Sequence, residues 1–178
     1  MKKLLVIGGS GFFGKSIIDC GIHRKLIKHR INEIYIISRS KILKKKKFQH
    51  IKINYIYKNI INIKKIPEVD YIIYCIKNEN IKISKDYFSN FFRLIKKFSK
   101  KPKILFTSSG AVYGKNKTKQ NEKSRINLKK IYALKGYKKN YALEKIFMEN
   151  KFQELGKLNF DVSIARCYNF IGKHILNS

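Results

Sequence analysis

The chain has 178 residues, 44% hydrophobic and 13% aromatic, which is enough for one domain with a buried core. It carries 41 lysines and arginines against 11 acidic residues, a formal net charge of +30. Such a charge predicts non-specific, salt-sensitive adhesion to polyanions. The basic residues are spread along the chain without a nucleic-acid reading motif, so no specific nucleic-acid interface is predicted.

The cysteines and histidines give no sign of a metal or redox site. Cys20, Cys75 and Cys167 are far apart and odd in number, which favours buried free thiols in a reducing compartment. The four histidines form no short pattern with carboxylates, so we expect them to have surface or packing roles and no metal. No stretch approaches the roughly 18 apolar residues that span a bilayer. We therefore expect a cytoplasmic protein.

Six β-branched, strand-like runs are separated by intervals of helical length. They cover residues 3–7, 33–37, 50–57, 71–76, 103–107 and 161–165. This alternation predicts an α/β fold with a parallel sheet and crossover helices. Segments 41–49 and 114–130 are polar and poorly periodic and are predicted to be loops. No composition change suggests a linker, so residues 1–178 are predicted to form one domain.

The clearest predicted helix follows Ser84, a candidate N-cap. Aromatic and aliphatic residues then repeat at helical spacing, at positions Phe88, Phe91, Phe92, Ile95 and Phe98. This stripe predicts packing against the sheet.

A glycine pattern, Gly8-x-x-Gly11-x-x-Gly14, lies between the first strand and a helix predicted to open at Lys15. Glycine allows a tight turn and close approach of the backbone to a pyrophosphate, which the helix N-terminus then stabilises. In this strand–turn–helix context, the pattern predicts a dinucleotide site, although a plain glycine-rich turn is the alternative.

The end of the second strand carries Ser38 and Arg39, where NAD-binding proteins normally place an acid for the adenosine ribose. Without a carboxylate there is no repulsion toward a 2′-phosphate, and arginine can grip that phosphate. The sequence therefore favours NADP over NAD. The alternative is that Arg39 is a solvated loop residue.

Ser109 follows an apolar strand, at the end where open α/β sheets bind ligands, although serine is also a common turn residue. Tyr141 and Lys145 are four residues apart in a helix-compatible segment, so their side chains share one face. A nearby cation favours the ionised form of tyrosine. We therefore expect Lys145, with a nicotinamide ring, to lower the pKa of Tyr141 and make it an acid/base.

A second Tyr-x-x-x-Lys pair, Tyr113 and Lys117, is a decoy, because Gly114 and Asn116 disfavour the helix that would align it. Tyr132 and Tyr137 lack a lysine four residues on. They are predicted to pack or to shape the entrance of the site.

Four segments in order resemble the extended short-chain dehydrogenase/reductase family, specifically its NAD-dependent epimerase/dehydratase branch, which acts on nucleotide sugars. They are residues 8–14 (Gly-Gly-Ser-Gly-Phe-Phe-Gly), 108–114 (Ser-Ser-Gly-Ala-Val-Tyr-Gly), 141–145 (Tyr-Ala-Leu-Glu-Lys) and 166–172 (Arg-Cys-Tyr-Asn-Phe-Ile-Gly). The resemblance implies a Rossmann-like, doubly wound parallel sheet with helices on both faces.

The resemblance also implies roles for individual residues. Tyr141 would be the acid/base, Lys145 the ribose-binding lysine and Ser109 the substrate-oxygen donor. The cofactor NAD(P) would contact the glycine turn and the residues that follow from the family pattern, which are Phe12, Phe13, Asn59, Ile60 and Asn169. Family dehydratases place an acid after the hydroxyl residue, whereas this chain has Gly110-Ala111, which favours an epimerase or keto-reductase.

Members of this branch are about twice as long relative to these motifs, with a C-terminal part that holds the nucleotide sugar. That part is expected to be largely missing here, as in a truncated product, a split protein or a remnant. The resemblance implies a nucleotide-sugar substrate and allows a homodimer. The alternative function is a non-catalytic protein that binds dinucleotides or polyanions.

Overall fold

The computed structural model describes residues 1–40, 49–116, 118–169 and 172–175. Six parallel strands form one sheet in the order β3-β2-β1-β4-β5-β6. The strands are β1 (Lys2–Ile7), β2 (Ile31–Ile37), β3 (Lys52–Ile56), β4 (Tyr71–Tyr74), β5 (Lys103–Ser109) and β6 (Asp161–Cys167). All six predicted strands are confirmed, within a few residues at their ends. The order reverses beside β1, so ligands are expected at the carboxyl ends of β1 and β4.

Four helices cover the sheet: α1 (Phe12–Ile22), α2 (Ile81–Ile95), α3 (Leu128–Tyr132) and α4 (Gly136–Lys157). Helix α1 begins three residues before the predicted Lys15, so Gly14 lies within its first turn. Helix α3 occupies part of segment 114–130, which was predicted to be a loop. Most of the other predicted loop, residues 41–48, lies outside the described residues.

The prediction that Ser84 caps α2 is wrong. Asn80 is the N-cap, and its side chain accepts a hydrogen bond from the Ile83 amide at 3.2 Å. Ser84 is instead one turn inside the helix and only 2% exposed. Ser84 points inward because its hydroxyl donates to the buried Glu144 carboxylate at 2.6 Å.

The aromatic stripe of α2 packs against the sheet as predicted. Phe88 and Phe91 are buried, and both rings contact Phe152 of α4, with centroids 5.4 and 6.0 Å away. Phe152 in turn stacks on Phe106 of β5 at 4.5 Å. Phe98 lies beyond the end of the helix but still packs against this core. Helices α2 and α4 are thereby fixed on one face of the sheet.

A smaller core lies on the opposite face, under α1. There Ile18 packs with the side chains of β1 and β2 that alternate away from the first core, such as Val6 and Ile34. Helices therefore cover both faces of a parallel sheet, the predicted Rossmann-like architecture. Within the described residues, no helix is long and apolar enough to cross a bilayer.

Candidate active site

A cavity of about 430 Å³ opens at the carboxyl ends of the strands. The residues that line it come from the glycine turn and the start of α1, from the ends of β2, β4, β5 and β6 and the segments after them, from the segment after β3, and from α2 and α4. They include Gly8, Gly11, Phe12, Phe13, Ser38, Arg39, Asn59, Ile60, Ser109, Tyr141 and Lys145. The structure thus brings together most of the site residues predicted from sequence. The volume of the cavity is typical of a small-molecule or cofactor site.

The glycine turn is tightly folded against the sheet. Gly8 has a φ of +102°, and a Cβ there would meet the Cys75 carbonyl oxygen at 2.7 Å. At Gly14 a Cβ would lie 2.4 Å from the Cα of Gly9, so this glycine, which is buried, allows α1 to pack on the turn. At Gly11 a Cβ would have only one ordinary contact, at 3.5 Å from Gly8 O. Gly8 and Gly14 are therefore required by the fold itself, whereas Gly11 leaves space on the cavity side.

Gly11 is also the N-cap of α1, and within the described chain no side chain caps this helix or places an acid in its first turn. The N-terminal end of a helix carries a partial positive charge and attracts anions. The uncapped start of α1 faces the cavity beside Ser10 and Gly11. This arrangement fits the pyrophosphate of a dinucleotide.

The opposite end of the cavity is lined by Ser38, Arg39, Asn59 and Ile60. The Ser38 hydroxyl donates to the Ser40 carbonyl at 2.8 Å, which turns it into the loop. Arg39 is exposed at the rim, and within the described chain no carboxylate pairs with it. Asn59 uses its side-chain oxygen to accept from the Ile61 amide at 3.3 Å and its nitrogen to donate to the Tyr87 hydroxyl, also at 3.3 Å.

Ser109, Tyr141 and Lys145 meet where β5 ends beside α4. The Ser109 oxygen accepts from the Ala111 amide at 3.2 Å, so its proton can point into the cavity. The Lys145 Nζ lies 5.6 Å from the centre of the Tyr141 ring and donates to the Ile76 carbonyl at 3.1 Å. Lys145 is only 2% exposed. Helical spacing places the pair on one face, as predicted.

The expected electrostatic effect of Lys145 on Tyr141 is not what the structure shows. Burial raises the pKa of Tyr141 above its ordinary value, and Tyr137 and Glu144 raise it further. Within the described chain, the groups that oppose this rise are Ser109, through a hydrogen bond, and Lys77, through its charge. Burial lowers the pKa of Lys145 itself. Lys145 lies beside the Tyr141 ring, but its ammonium is bound to the Ile76 carbonyl and lies near the Glu144 carboxylate. Helical spacing alone therefore did not predict how Lys145 affects the pKa of Tyr141.

Lys77 was not singled out from the sequence. It lies three residues after the end of β4, lines the cavity, and places its Nζ 5.3 Å from the centre of the Tyr137 ring. Tyr137 stacks on Tyr141 with centroids 5.7 Å apart and planes 10° from parallel. Of the two roles expected for Tyr137, packing or shaping the entrance, the structure shows packing against Tyr141. Tyr132 is 57% exposed beneath Lys139. The position of Lys77 at a strand end, where open sheets bind ligands, was the available signal.

A buried ionic cluster connects β5, α4 and β6 beneath the site. Glu149 is 1% exposed and accepts from the Ser108 hydroxyl at 2.5 Å and from Arg166 at 2.7 Å. Arg166 also donates to the Tyr113 hydroxyl at 2.6 Å. Tyr113 lies in a 3₁₀ turn, and its hydroxyl also donates to the Asn121 carbonyl. Its side chain therefore belongs to this ionic cluster. Its decoy partner, Lys117, lies outside the described residues.

Two residues near the end of the chain depart from expectation. Asn169 is exposed, and among the described residues it does not line the cavity. His174 does line it, and its Nε2 lies 2.7 Å from Asp19 Oδ2 on α1. The histidines were expected to have only surface or packing roles, and this pairing was not visible because 155 residues separate the two side chains in sequence.

The three cysteines are free, but only Cys75 is buried, whereas Cys20 and Cys167 are half-buried. Burial raises the pKa of the Cys75 thiol to about 12, which makes it unreactive. Within the described residues, no group of three or more histidine, cysteine or acidic side chains is placed to hold a metal ion.

Comparison with known proteins identifies the family. A model of the NAD dependent epimerase/dehydratase family matches residues 4–178, almost the whole chain. The chain belongs to the NAD-dependent epimerase/dehydratase family. No curated protein sequence gives a significant match to this family member.

Solved structures with the same fold include several nucleotide-sugar enzymes. The dTDP-glucose 4,6-dehydratase of Streptomyces venezuelae, with NAD bound, is 14% identical with a TM-score of 0.68, and the match covers 97% of this chain and 57% of that one. The corresponding enzyme of Bacillus anthracis, in complex with NAD, is 20% identical with a TM-score of 0.64, over 98% and 57% of the two chains. At these identities the likeness shows the fold alone.

A third similar structure is the UDP-glucuronic acid 4-epimerase of Bacillus cereus, in complex with UDP-glucuronic acid and NAD. It is 14% identical with a TM-score of 0.64, and the match covers 92% of this chain and 55% of that one. This family member therefore spans about half the length of the enzymes it resembles.

Proposed function

We propose that this chain binds NAD(P) and acts on a nucleotide sugar by hydride transfer, as an epimerase or a keto-reductase. The observation that carries the proposal is that Ser109, Tyr141 and Lys145 line the same cavity as the glycine turn. A proton-transferring group and a dinucleotide site must share one pocket for this chemistry, and the candidate residues for both line this cavity.

The residues fit a dinucleotide on two grounds. The uncapped N-terminus of α1 and the space beside Gly11 suit the pyrophosphate. Arg39, at the far rim, suits a 2′-phosphate, which supports the preference for NADP. The similar solved structures contain NAD, so the choice between the two cofactors belongs to the proposal.

The protein side chains have separate roles in the proposed reaction. Bound NAD(P) supplies the hydride acceptor or donor. The Tyr141 phenolate would take the proton from the sugar hydroxyl in the oxidation, and the Tyr141 phenol would return a proton to the keto oxygen in the reduction. The Ser109 hydroxyl holds that same oxygen by donating a hydrogen bond to it. The Lys145 ammonium, at the cavity floor, would bind the nicotinamide ribose.

The substrate class rests on the family and on the ligands of similar enzymes. The Bacillus cereus epimerase holds UDP-glucuronic acid, and a nucleotide sugar is proposed here by analogy. Gly110-Ala111 follows Ser109 and supplies no carboxylate for the elimination of water. This supports epimerase or keto-reductase chemistry over 4,6-dehydration.

A dinucleotide-binding protein without turnover is the second candidate function. It is favoured by the raised pKa of Tyr141 and by the bond from Lys145 to the Ile76 carbonyl. With its pKa raised, the Tyr141 phenol keeps its proton at neutral pH and does not act as a base. The net charge of +30 would then give adhesion to polyanions as a side effect.

The test is cofactor binding followed by turnover. Fluorescence titration with NADH and NADPH should show binding, and a panel of UDP- and dTDP-sugars should show epimerisation or a change in nicotinamide absorbance. Tyr141→Phe should abolish turnover and leave binding intact, whereas Tyr132→Phe, at an exposed tyrosine, should change neither. Binding without turnover by wild type would support the second candidate, and no binding of either nucleotide would refute both.

The proposal includes a homodimer and a cytoplasmic location. The cytoplasm is supported by three free cysteines, which suit a reducing compartment. Light scattering on the eluted protein would test the dimer, and cell fractionation would test the location.

A further inference from the structure

Glu144 is a buried carboxylate beside the active-site lysine for which the proposed reaction has no role. It belongs to α4, is 2% exposed, and faces away from solvent between α4 and α2. Its Oε1 accepts a hydrogen bond from the Ser84 hydroxyl of α2 at 2.6 Å. Its Oε2 lies 3.5 Å from the Lys145 Nζ and has no hydrogen-bond partner within the described residues.

This arrangement is costly for a purely structural residue. A buried carboxylate loses its hydration, and an unsatisfied buried oxygen adds to that loss. Neutral residues of similar size often stabilise such a position at least as well as an ion pair does. A role in the fold alone therefore does not account for Glu144, and its neighbour Lys145 is the group it can influence.

We propose that Glu144 is a positioning residue that acts through Lys145. Its carboxylate and the Ile76 carbonyl hold the Lys145 ammonium between them at the cavity floor. Ser84 fixes the carboxylate by binding its other oxygen. Glu144 thereby keeps Lys145 charged and aimed at the site where the nicotinamide ribose is proposed to bind.

The direction of the electrostatic effect agrees with this role. Burial lowers the pKa of Lys145, and Glu144 is the largest influence that raises it again. Burial raises the pKa of Glu144, and Lys145 is the largest influence that lowers it. Each side chain thus favours the charged form of the other.

Other titratable groups surround the pair and must be considered in any pH experiment. They are Tyr74 and Cys75 at the end of β4, Tyr141 and Glu149 on α4, and Cys167 at the end of β6. Burial raises the pKa of Tyr74, Cys75, Tyr141 and Cys167, so all four stay neutral near pH 7. Glu144 is the partner that contacts the Lys145 ammonium directly.

The inference rests on the proposed function, and two measurements distinguish a failure of one from a failure of the other. The first is a 13C NMR titration of lysine Cε in wild type and in Glu144→Gln, with the Lys145 signal assigned by Lys145→Arg. The second is NADH binding by the same proteins from pH 6 to pH 10. Glu154→Gln, at an exposed glutamate on the same helix, is the matched control.

In Glu144→Gln the Lys145 signal should titrate at lower pH than in wild type. NADH binding should then weaken at lower pH, by roughly tenfold once the ammonium is lost, as expected for a hydrogen bond to a charged group. Glu154→Gln should match wild type in both measurements. If Glu144→Gln does not fold, Ser84→Ala should shift the Lys145 titration in the same direction, because it leaves the carboxylate less well held.

An unchanged Lys145 titration in the folded variants would overturn the inference, as would NADH binding with the same pH profile as wild type. Failure of wild type to bind NADH or NADPH is a different result. It would refute the proposed function, and with it a positioning role toward the cofactor, even if the Lys145 titration shifted.

Discussion

The Ser108 hydroxyl and the Glu149 carboxylate are joined by a 2.5 Å hydrogen bond that ties the end of β5 to the middle of α4. The bond lies next to Ser109 in sequence and two turns along α4 from Tyr141, so it connects the two elements that carry the proposed proton-transfer groups. Arg166 completes the connection from β6 through its 2.7 Å bond to the same carboxylate. These bonds among Ser108, Glu149 and Arg166 help to fix the position of Ser109 relative to Tyr141.

Replacing Glu149 with alanine should therefore destabilise the fold strongly. The change leaves the guanidinium of Arg166, whose side chain is only 21% exposed, without its counterion. We expect a loss of about 3 kcal/mol in the free energy of unfolding, measured by urea denaturation. Glu154→Ala, on the exposed part of the same helix, should cost less than about 0.5 kcal/mol. Equal effects of the two changes would contradict the role of Glu149.

Lys77 should lower the pKa of Tyr141 slightly. Its charge opposes the rise in the Tyr141 pKa that burial causes, so Lys77→Gln should raise that pKa further. The measurement is a titration of tyrosine Cζ by 13C NMR, with the signal assigned by Tyr141→Phe. Lys77→Arg should restore the wild-type value. Lys139→Gln, at the lysine beside Tyr132, should leave it unchanged, and a Tyr141 titration unaffected by Lys77→Gln would refute this assignment.

Gly14 and Gly156 should respond in opposite ways to alanine. At Gly14 the new Cβ would lie 2.4 Å from the Cα of Gly9 and 2.6 Å from Gly8 O, so the turn must shift. We expect a loss of about 1–3 kcal/mol and weaker NAD(P)H binding. At Gly156, within α4, nothing in the described part of the chain lies within 4 Å of the new Cβ. There alanine should stabilise by about 0.5–1 kcal/mol through helix propensity. Thermal denaturation checks both changes.

Arg39 should determine the choice between the two nicotinamide cofactors. If it grips the 2′-phosphate, Arg39→Ala should weaken NADPH binding by roughly 10- to 100-fold, the range for a hydrogen bond to a charged group, and barely change NADH binding. Arg125→Ala removes the same charge from an exposed position that does not line the cavity, so it should not change the ratio of affinities. An unchanged ratio in Arg39→Ala would refute the proposed contact between Arg39 and a 2′-phosphate.

Much of the site could be predicted from sequence because its residues lie at characteristic spacings within single elements of secondary structure. The glycine turn, the strand end at Ser109 and the four-residue spacing of Tyr141 and Lys145 each follow from one element of secondary structure. The alternation of strands and helices predicted a parallel sheet with crossovers, whereas the strand order comes from the structure. Ser84 shows the limit of this reasoning, since a hydroxyl near a helix start can cap the helix or point inward, and only its contact with Glu144 decides.

The sequence by itself determined the α/β fold and the family, because strand periodicity and the four ordered motifs are properties of neighbouring residues. Only the tertiary structure decided the electrostatics of the site. The pKa of Tyr141 depends mainly on burial beneath neighbouring side chains, and to a smaller extent on Lys77, 64 positions away in the chain. Lys145 is held by the Ile76 carbonyl, and its charge depends on the buried carboxylate of Glu144. Such effects depend on distance in space and on the exclusion of water, which the order of residues does not specify.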